Sequence, residues 1–233
     1  MTKPNLPPRL QMVAGAIPVC RTLVDIGTDH ALIPIYAAQT GLCQTAIAGD
    51  VNPGPLEIAK TAIIAHGLGD KIASVLSNGL ENIPKTALSS DCALVIAGMG
   101  GDTIAGILQN HNTAAAILLQ PMTAVEKLYK FLYDDGFEIT AETLAAEGEK
   151  LYHLICARQT GVKTDPEPAD LLIGKQLLRS GSPLLGRYIL RKISKLQKRL
   201  DGLTVAGTFD NEFEQTKEQI NLLKTALEGS KTS

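Results

Sequence analysis

Two carboxylates and a histidine crowd one glycine in the stretch RTLVDIGTDHALIP (21–34): Asp25 stands two residues before Gly27, and Asp29 and His30 follow it closely. The run before the glycine is apolar and β-favouring; the run after His30, Ala31-Leu32-Ile33, suits a helix. A strand that turns at a glycine into a helix aims unpaired backbone N–H groups into the turn, where a polar small-molecule group can be held. Carboxylates at the same turn suit cationic groups. Asp50, with Val51 after it, lies 23 residues beyond Gly27, and Asn78-Gly79, Gly98-Met99-Gly100-Gly101 and Gln120-Pro121 follow at intervals.

These residues share a position relative to the elements around them. Pro8-Arg9 opens a helix that Pro18 ends. A strand runs into Gly27, a second covers Thr45–Asp50, a third Lys71–Leu76, a fourth Cys92–Ala97 and a fifth Ala115–Leu119, closed by Gln120-Pro121. Helices alternate with them, the last over Thr123–Tyr133. Phe137–Leu144 and Leu151–Arg158 then form an antiparallel pair across the polar link Glu147–Lys150. Strands alternating with helices and apolar on both sides predict a mostly parallel seven-stranded sheet covered on both faces. Ligands in such sheets bind at the carboxyl ends of the strands, near the switch in strand order. Asp25 to His30, Asp50, Ser77 to Gly79, Gly98 to Gly101, and Gln120 with Pro121 all fall there.

The composition changes after residue 160, which predicts a sheet domain over 1–160 and a second unit over 161–233. VKTDPEPAD (162–170) reads as a linker. Ile189, Ile193, Leu196, Leu200 and Leu203 repeat at four and three, and after a turn at Thr204–Thr208 so do Phe209, Phe213, Thr216, Ile220, Leu223 and Leu227. Two helices with narrow apolar seams predict a coiled-coil-like antiparallel hairpin. The first is basic, with Arg191, Lys195, Lys198 and Arg199 among its charges; the second is acidic. The charges either pair the two helices or track a phosphate backbone.

Of 233 residues, 45% are apolar and the net charge is −2, which excludes a disordered chain and argues against indiscriminate binding to nucleic acid. There is no tryptophan, and only five Tyr and four Phe, so few rings are at hand to stack on a ligand. The N-terminal residues lack a signal-like apolar region and no run approaches a membrane span, so a cytoplasmic protein without a membrane partner is expected. The four cysteines are far apart without C-x-x-C spacing and read as reduced core thiols, with no metal expected.

The turn itself discriminates between cofactors. A dinucleotide site calls for G-x-G-x-x-G, so that the backbone can approach a pyrophosphate; here the second and third glycines are missing, and Asp29 would repel phosphate. S-adenosylmethionine carries an ammonium, a sulfonium, a carboxylate and a ribose. Asp25 and Gly27 suit its cationic end, Asp50 its ribose hydroxyls, and Asn78 the adenine edge. Gly27 alone is a weak signal and Asp50 alone could cap a helix.

With these residues the chain resembles the bacterial TrmK family, tRNA methyltransferases acting on N1 of adenosine 22. The matching stretches are Arg9-Leu10 with Val13-Ala14, DIGTDHA (25–31) with Leu32 to Pro34, IAGD (47–50) with Gly54-Pro55, Gly67-Leu68 with Asp70-Lys71-Ile72, NGLE (78–81), IAGMGG (96–101), LLQP (118–121) and Tyr152. Asn78 stands where family members commonly have Asp, and Asp50 where Glu is frequent. The resemblance implies a class I, Rossmann-like methyltransferase fold with a C-terminal helical hairpin, S-adenosylmethionine as methyl donor and tRNA as substrate. It makes Asp29 the candidate catalytic carboxylate, with Asp25, Gly27, Asp50, Val51, Asn78, Gly79 and Gly98 binding the cofactor. Arg9, His30, Met99, Gln120 and Pro121, together with the basic residues of the hairpin, are the candidates for binding substrate. Asp29 could instead bind the cofactor or cap the helix after it, and His30 could be structural. A monomer is expected. Two other readings share the cofactor turn: a small-molecule methyltransferase whose hairpin serves dimerisation, and a non-catalytic RNA-binding protein.

Overall fold

The computed structural model describes residues 4–109 and 116–229. Seven strands form one sheet: β1 (Cys20–Ile26), β2 (Cys43–Asp50), β3 (Ile72–Leu76), β4 (Cys92–Gly100), β5 (Ala116–Thr123), β6 (Phe137–Glu147) and β7 (Lys150–Gln159). The spatial order is β3-β2-β1-β4-β5-β7-β6. The first five strands are mutually parallel, and β7 runs antiparallel to both β5 and β6. Strand order reverses between β1 and β4, and both ends of that switch carry predicted site residues.

Period-two alternation builds two cores from the same strands. Leu23, Ala93, Val95 and Leu118 face one side, under α1 (Pro8–Ala16), α2 (Leu32–Thr40) and α3 (Pro53–Ala65). Val24, Leu94, Ile96, Ile117 and Leu119 face the other, under α4 (Gly101–Leu108) and α5 (Val125–Asp134).

Four strands run past the expected ends: β6 to Glu147 and β7 to Gln159, so that Glu147 and Lys150 of the expected link pair with each other, and also β4 and β5. β4 continues through Gly98, the extra residue of an irregular pairing in which Ala97 faces Gln120 and Met99 faces Pro121. β5 continues through Pro121, which is tolerated because beyond Leu119 the strand pairs only with β4. Ala115, expected to open β5, lies outside the described residues. Lys85–Ala87 form a short 3-10 turn that the sequence pattern did not show.

After β7, the acidic stretch leads into two short helices, α6 (Pro168–Leu172) and α7 (Lys175–Arg179), and then into α8 (Leu185–Val205) and α9 (Asn211–Gly229). Ile189 and Leu223 are buried where α8 meets α9, joined there by Ile193, Leu196 and Leu227. Two details differ from the expected hairpin: α8 extends through the first residues of the predicted turn, and Phe209 is exposed, edge-on to Phe213 rather than in the seam.

The base of the hairpin is fastened by buried polar groups. Glu142 of β6 accepts through Oε2 from the Gln176 and Leu177 N–H groups at 2.9 and 3.1 Å, capping α7 from outside, and its Oε1 meets the Tyr129 hydroxyl. His153 Nε2 lies 3.1 Å from the same Oε1, and its Nδ1 lies 3.3 Å from the Tyr188 hydroxyl. Gly174 has φ +105°, and a Cβ there would run into Tyr129 and Glu142, so glycine is what lets α7 approach.

Candidate active site

A cleft lies over the carboxyl ends of β1, β2, β3 and β4, in two hollows of about 130 and 280 Å³. The smaller is lined by Arg9, Asp25, Thr28, Asp29 and His30; the larger by Asp50, Val51, Asn78, Gly79, Gly98 and Met99. Gly27 and Ala97 border both. Every predicted cofactor residue thus lines one cleft, although they come from four separate strand ends. Local geometry explains the glycines. Gly27 has φ +81°, and any side chain on it would collide with Met99, whose methyl group covers the turn.

Asp25 is buried at the end of β1. Burial pushes its carboxyl up to about 6; the Asp50 carboxylate adds to the push, while the Thr28 hydroxyl and the Arg9 guanidinium oppose it. The Thr28 hydroxyl is buried without a well-formed hydrogen bond among the described residues. Asp50 Oδ1 accepts from the Asn52 N–H at 2.8 Å, which shapes the turn into α3. Asn78 Nδ2 donates to Glu81 at 2.8 Å, and the buried Ser77 hydroxyl donates to the Gly79 carbonyl at 2.9 Å and accepts from the Asn82 N–H, bracing this loop.

Asp29 and His30 are exposed at the mouth of the smaller hollow, with His30 Nε2 3.4 Å from Asp29 Oδ2. Asp29 does not cap the next helix. α2 starts after Ala31, which takes a left-handed conformation, and no side chain caps it. The Asp29 carboxylate, beside His30, is therefore free of a capping role at the rim of the smaller hollow.

Arg9 reaches the cleft from α1. Its N–H donates to Glu147 at 2.7 Å, its Nη1 donates to Gln120 Oε1 at 3.1 Å, and its guanidinium lies over the Tyr152 ring at 5.7 Å. Gln120 is wholly buried, Pro121 is buried, and neither lines a hollow. Sequence reasoning missed Glu147, which lies 138 positions from Arg9 and carries no local signal. Thr28 stood inside the recognised motif and was passed over.

The basic helix α8 faces in several directions. Arg187 and Arg191 donate to the Gly148 and Glu149 carbonyls of the β6–β7 turn, Lys192 pairs with Glu126 of α5, and Arg199 pairs with Glu212 of α9. Lys195 and Lys198 form no ion pair with the described residues. No group of three or more His, Cys, Asp or Glu suited to a metal occurs among the described residues, and no described helix is long and apolar enough to cross a membrane. Burial pushes Cys92 up to about 12, and Cys43 and Cys156 to about 11, so these three are thiols of the interior rather than nucleophiles.

Comparison with known proteins agrees with this geometry. Residues 23–225 match the family model TrmK: tRNA (adenine(22)-N(1))-methyltransferase. The chain is 28% identical over 239 residues to the tRNA (adenine(22)-N(1))-methyltransferase of Bacillus subtilis (strain 168), spanning 98% of this chain and 99% of that one. The B. subtilis M1A22 tRNA methyltransferase TrmK superposes with a TM-score of 0.84 at 27% identity, over 96% of this chain and 99% of the other. M. capricolum TrmK, solved with the cofactor product S-adenosyl-homocysteine, superposes at 0.82 with 29% identity, over 96% and 98%. With its sheet order, its cleft and these matches together, the chain belongs to the TrmK family of tRNA (adenine(22)-N(1))-methyltransferases.

Proposed function

We propose that this chain carries out its family's reaction, methylation of N1 of adenosine 22 in tRNA with S-adenosylmethionine as donor, and that its cleft residues divide the work as follows. The observation that carries the assignment is the convergence of Asp25, Gly27, Asp50, Gly79 and Gly98 on one cleft, with Arg9 and Asp29 at the same place. A buried Thr28 hydroxyl without a well-formed hydrogen bond among the described residues, and a buried carboxyl on Asp25, are groups that a polar, cationic ligand would complete.

When bound, S-adenosylmethionine supplies an electrophilic methyl group on a sulfonium. Asp25 would hold the ammonium of its amino-acid end, with Arg9 as the cation for its carboxylate; the Gly27 and Thr28 N–H groups, expected to be unpaired, are already engaged by the Gly49 carbonyl. Asp50 accepts from the ribose hydroxyls, while Val51 and the Asn78-Gly79 loop flank the adenine.

N1 of adenine lies on the Watson–Crick edge, so the target nucleotide must leave any pair before its lone pair is free. The lone pair lies in the ring plane and attacks without prior deprotonation, and the product base is cationic. Asp29, exposed at the mouth of the cleft, accepts from the exocyclic amine, orienting the base and stabilising the positive charge that grows on it. His30 holds that carboxylate in place, and Met99 borders the cleft where the base would enter. Lys195 and Lys198 of the hairpin meet tRNA phosphates, with Arg191 and Arg199 contributing less because each already has a protein partner.

Incubating unmodified tRNA with the protein and methyl-labelled S-adenosylmethionine, then analysing nucleosides by mass spectrometry, tests the assignment. Labelled 1-methyladenosine at position 22 is expected. Label in another base or in a small molecule, with position 22 unmodified, would overturn it.

A further inference from the structure

An arginine on the first turn of a surface helix is ordinarily mobile, yet half-buried Arg9 is held by several groups and still lines the smaller hollow. Glu147 fixes its backbone N–H at 2.7 Å, Tyr152 lies under the guanidinium, and Gly98, at the irregular pairing of β4 and β5, leaves the slot it fills. A Cβ on Gly98 would stand 3.3 Å from Arg9 Nη1. The remaining side is Gln120. Its Oε1 accepts from Nη1 at 3.1 Å, while its Nε2 donates to the Pro121 carbonyl at 3.2 Å and touches the Met122 sulfur.

This amide cannot be turned round. A flipped Gln120 would set NH₂ against the guanidinium and oxygen against a carbonyl, two repulsive contacts in place of two hydrogen bonds. Gln120 also has no exposed surface with which to meet a base. Its tether to Pro121 therefore orients the oxygen that holds Arg9.

We propose that Gln120 is a positioning residue that acts through Arg9, fixing the guanidinium where the cofactor's carboxylate will bind, and that it does not contact the target adenine. The inference rests on the assignment of Arg9 to that carboxylate. A pre-ordered arginine loses little rotamer freedom on binding; a freed one must lose it then, and affinity falls by that amount.

The test is a double-mutant cycle read by calorimetry with S-adenosyl-homocysteine, alongside tRNA affinity. Arg9→Met should weaken cofactor binding about ten- to a hundredfold, as the loss of a charge-assisted contact does. Gln120→Met, which keeps length and volume but removes the acceptor, should weaken it about two- to tenfold, the cost of ordering one long side chain. Combined with Arg9→Met it should add nothing further.

If Arg9→Met leaves cofactor affinity intact and weakens tRNA instead, Arg9 serves a phosphate and both readings fall. If Arg9→Met acts as expected but Gln120→Met is silent, or its loss adds fully to that of Arg9→Met, only the positioning role is overturned. Should Gln120→Met not fold, Gln120→Leu, which also lacks the acceptor, takes its place in the cycle: full additivity with Arg9→Met overturns the role, and coupling supports it.

Discussion

The cofactor cleft and the base of the hairpin both gather polar side chains, and they are built in opposite ways. At the hairpin base most groups have a protein partner: Glu142 serves Tyr129 and two backbone N–H groups of α7, and His153 sits between Glu142 and Tyr188, its Nε2 close to Glu142 Oε1 without a well-formed hydrogen bond. In the cleft, Thr28 lacks a well-formed partner, Asp25 is held near neutral pH by burial, and Asp29 faces solvent. A closed network fixes one geometry and has nothing left for a ligand; an open one keeps its capacity for what binds. The contrast predicts that substitutions at the base cost stability and those in the cleft cost activity.

The largest effect should come from the closed network. Glu142→Ala leaves the Gln176 and Leu177 N–H groups unpaired and strips Tyr129 of its carboxylate partner, which should destabilise the fold by about 3–5 kcal/mol. Denaturant unfolding checks this. Cofactor affinity of the folded fraction should stay within about twofold, because the cleft residues are untouched; a large change in affinity with little change in stability would reverse the contrast.

Asp29→Ala should do the converse. We expect turnover to fall about a hundredfold or more, the usual cost of removing one transition-state contact, with the midpoint of unfolding almost unmoved. Single-turnover rates at saturating cofactor separate the two. Equal losses in turnover and cofactor affinity would make Asp29 a cofactor ligand and end its assignment to the base.

Much of this contrast was legible in the sequence, but unevenly. The sheet could be read because Leu23 and Val24, or Leu94 and Val95, alternate between two covered faces, and because each strand stops in glycine or a small polar residue. Asp25, Gly27, Asp50 and Gly98 could be read for the same reason, since parallel strands bring their carboxyl ends to one edge. The hairpin base could not. Glu142 and His153 sit in strands with ordinary alternation, and what makes them a cluster is the approach of Tyr188 from α8, 35 positions after His153. The hold on Arg9 was hidden likewise, because Glu147 and Gln120 meet it only through long-range pairing. Helical spacing showed that α8 is basic, but not that Arg187, Arg191 and Lys192 reach back to the sheet domain.

The open network should also respond to pH. The Asp25 carboxyl is raised from 3.8 to about 6 by burial, so the folded protein holds this proton more tightly than the unfolded chain. Its contribution to stability is fully present below about pH 4 and is lost as pH rises through 6, amounting to up to about 3 kcal/mol by pH 7. A cationic ligand beside Asp25 favours the ionised form, so binding releases a proton, and cofactor affinity should fall about tenfold from pH 7 to pH 5. Titrations across that range, with Asp25→Asn expected to flatten the profile, check the assignment. An unchanged slope in the variant would move the titration to another group.

The smallest effects belong to α8, where the same rule sorts charges within one helix. Arg191 and Arg199 are engaged by the Glu149 carbonyl and by Glu212, whereas Lys195 and Lys198 have no ion-pair partner among the described residues. By the logic of the cleft, charges without an ion-pair partner are the ones available to a ligand, Lys198 more than Lys195, which also acts at longer range on the Glu126 carboxylate. Replacing Lys195 and Lys198 with Gln should weaken tRNA binding and reduce the slope of log affinity against log salt by up to about one unit for each lost phosphate contact. Replacing Arg191 and Arg199 should change that slope less and lower stability by about 0–1 kcal/mol for each exposed pair. The helix itself should persist in both variants, because Ile189, Ile193 and Leu196 hold it against α9 and the domain below. Titrating tRNA at two salt concentrations against wild type and the two double variants separates the cases. If the lysine variant superimposes on wild type while the arginine variant loses the slope, then a protein partner does not mark a charge as spoken for, and the contrast drawn from the cleft and the hairpin base does not extend to the exposed surface.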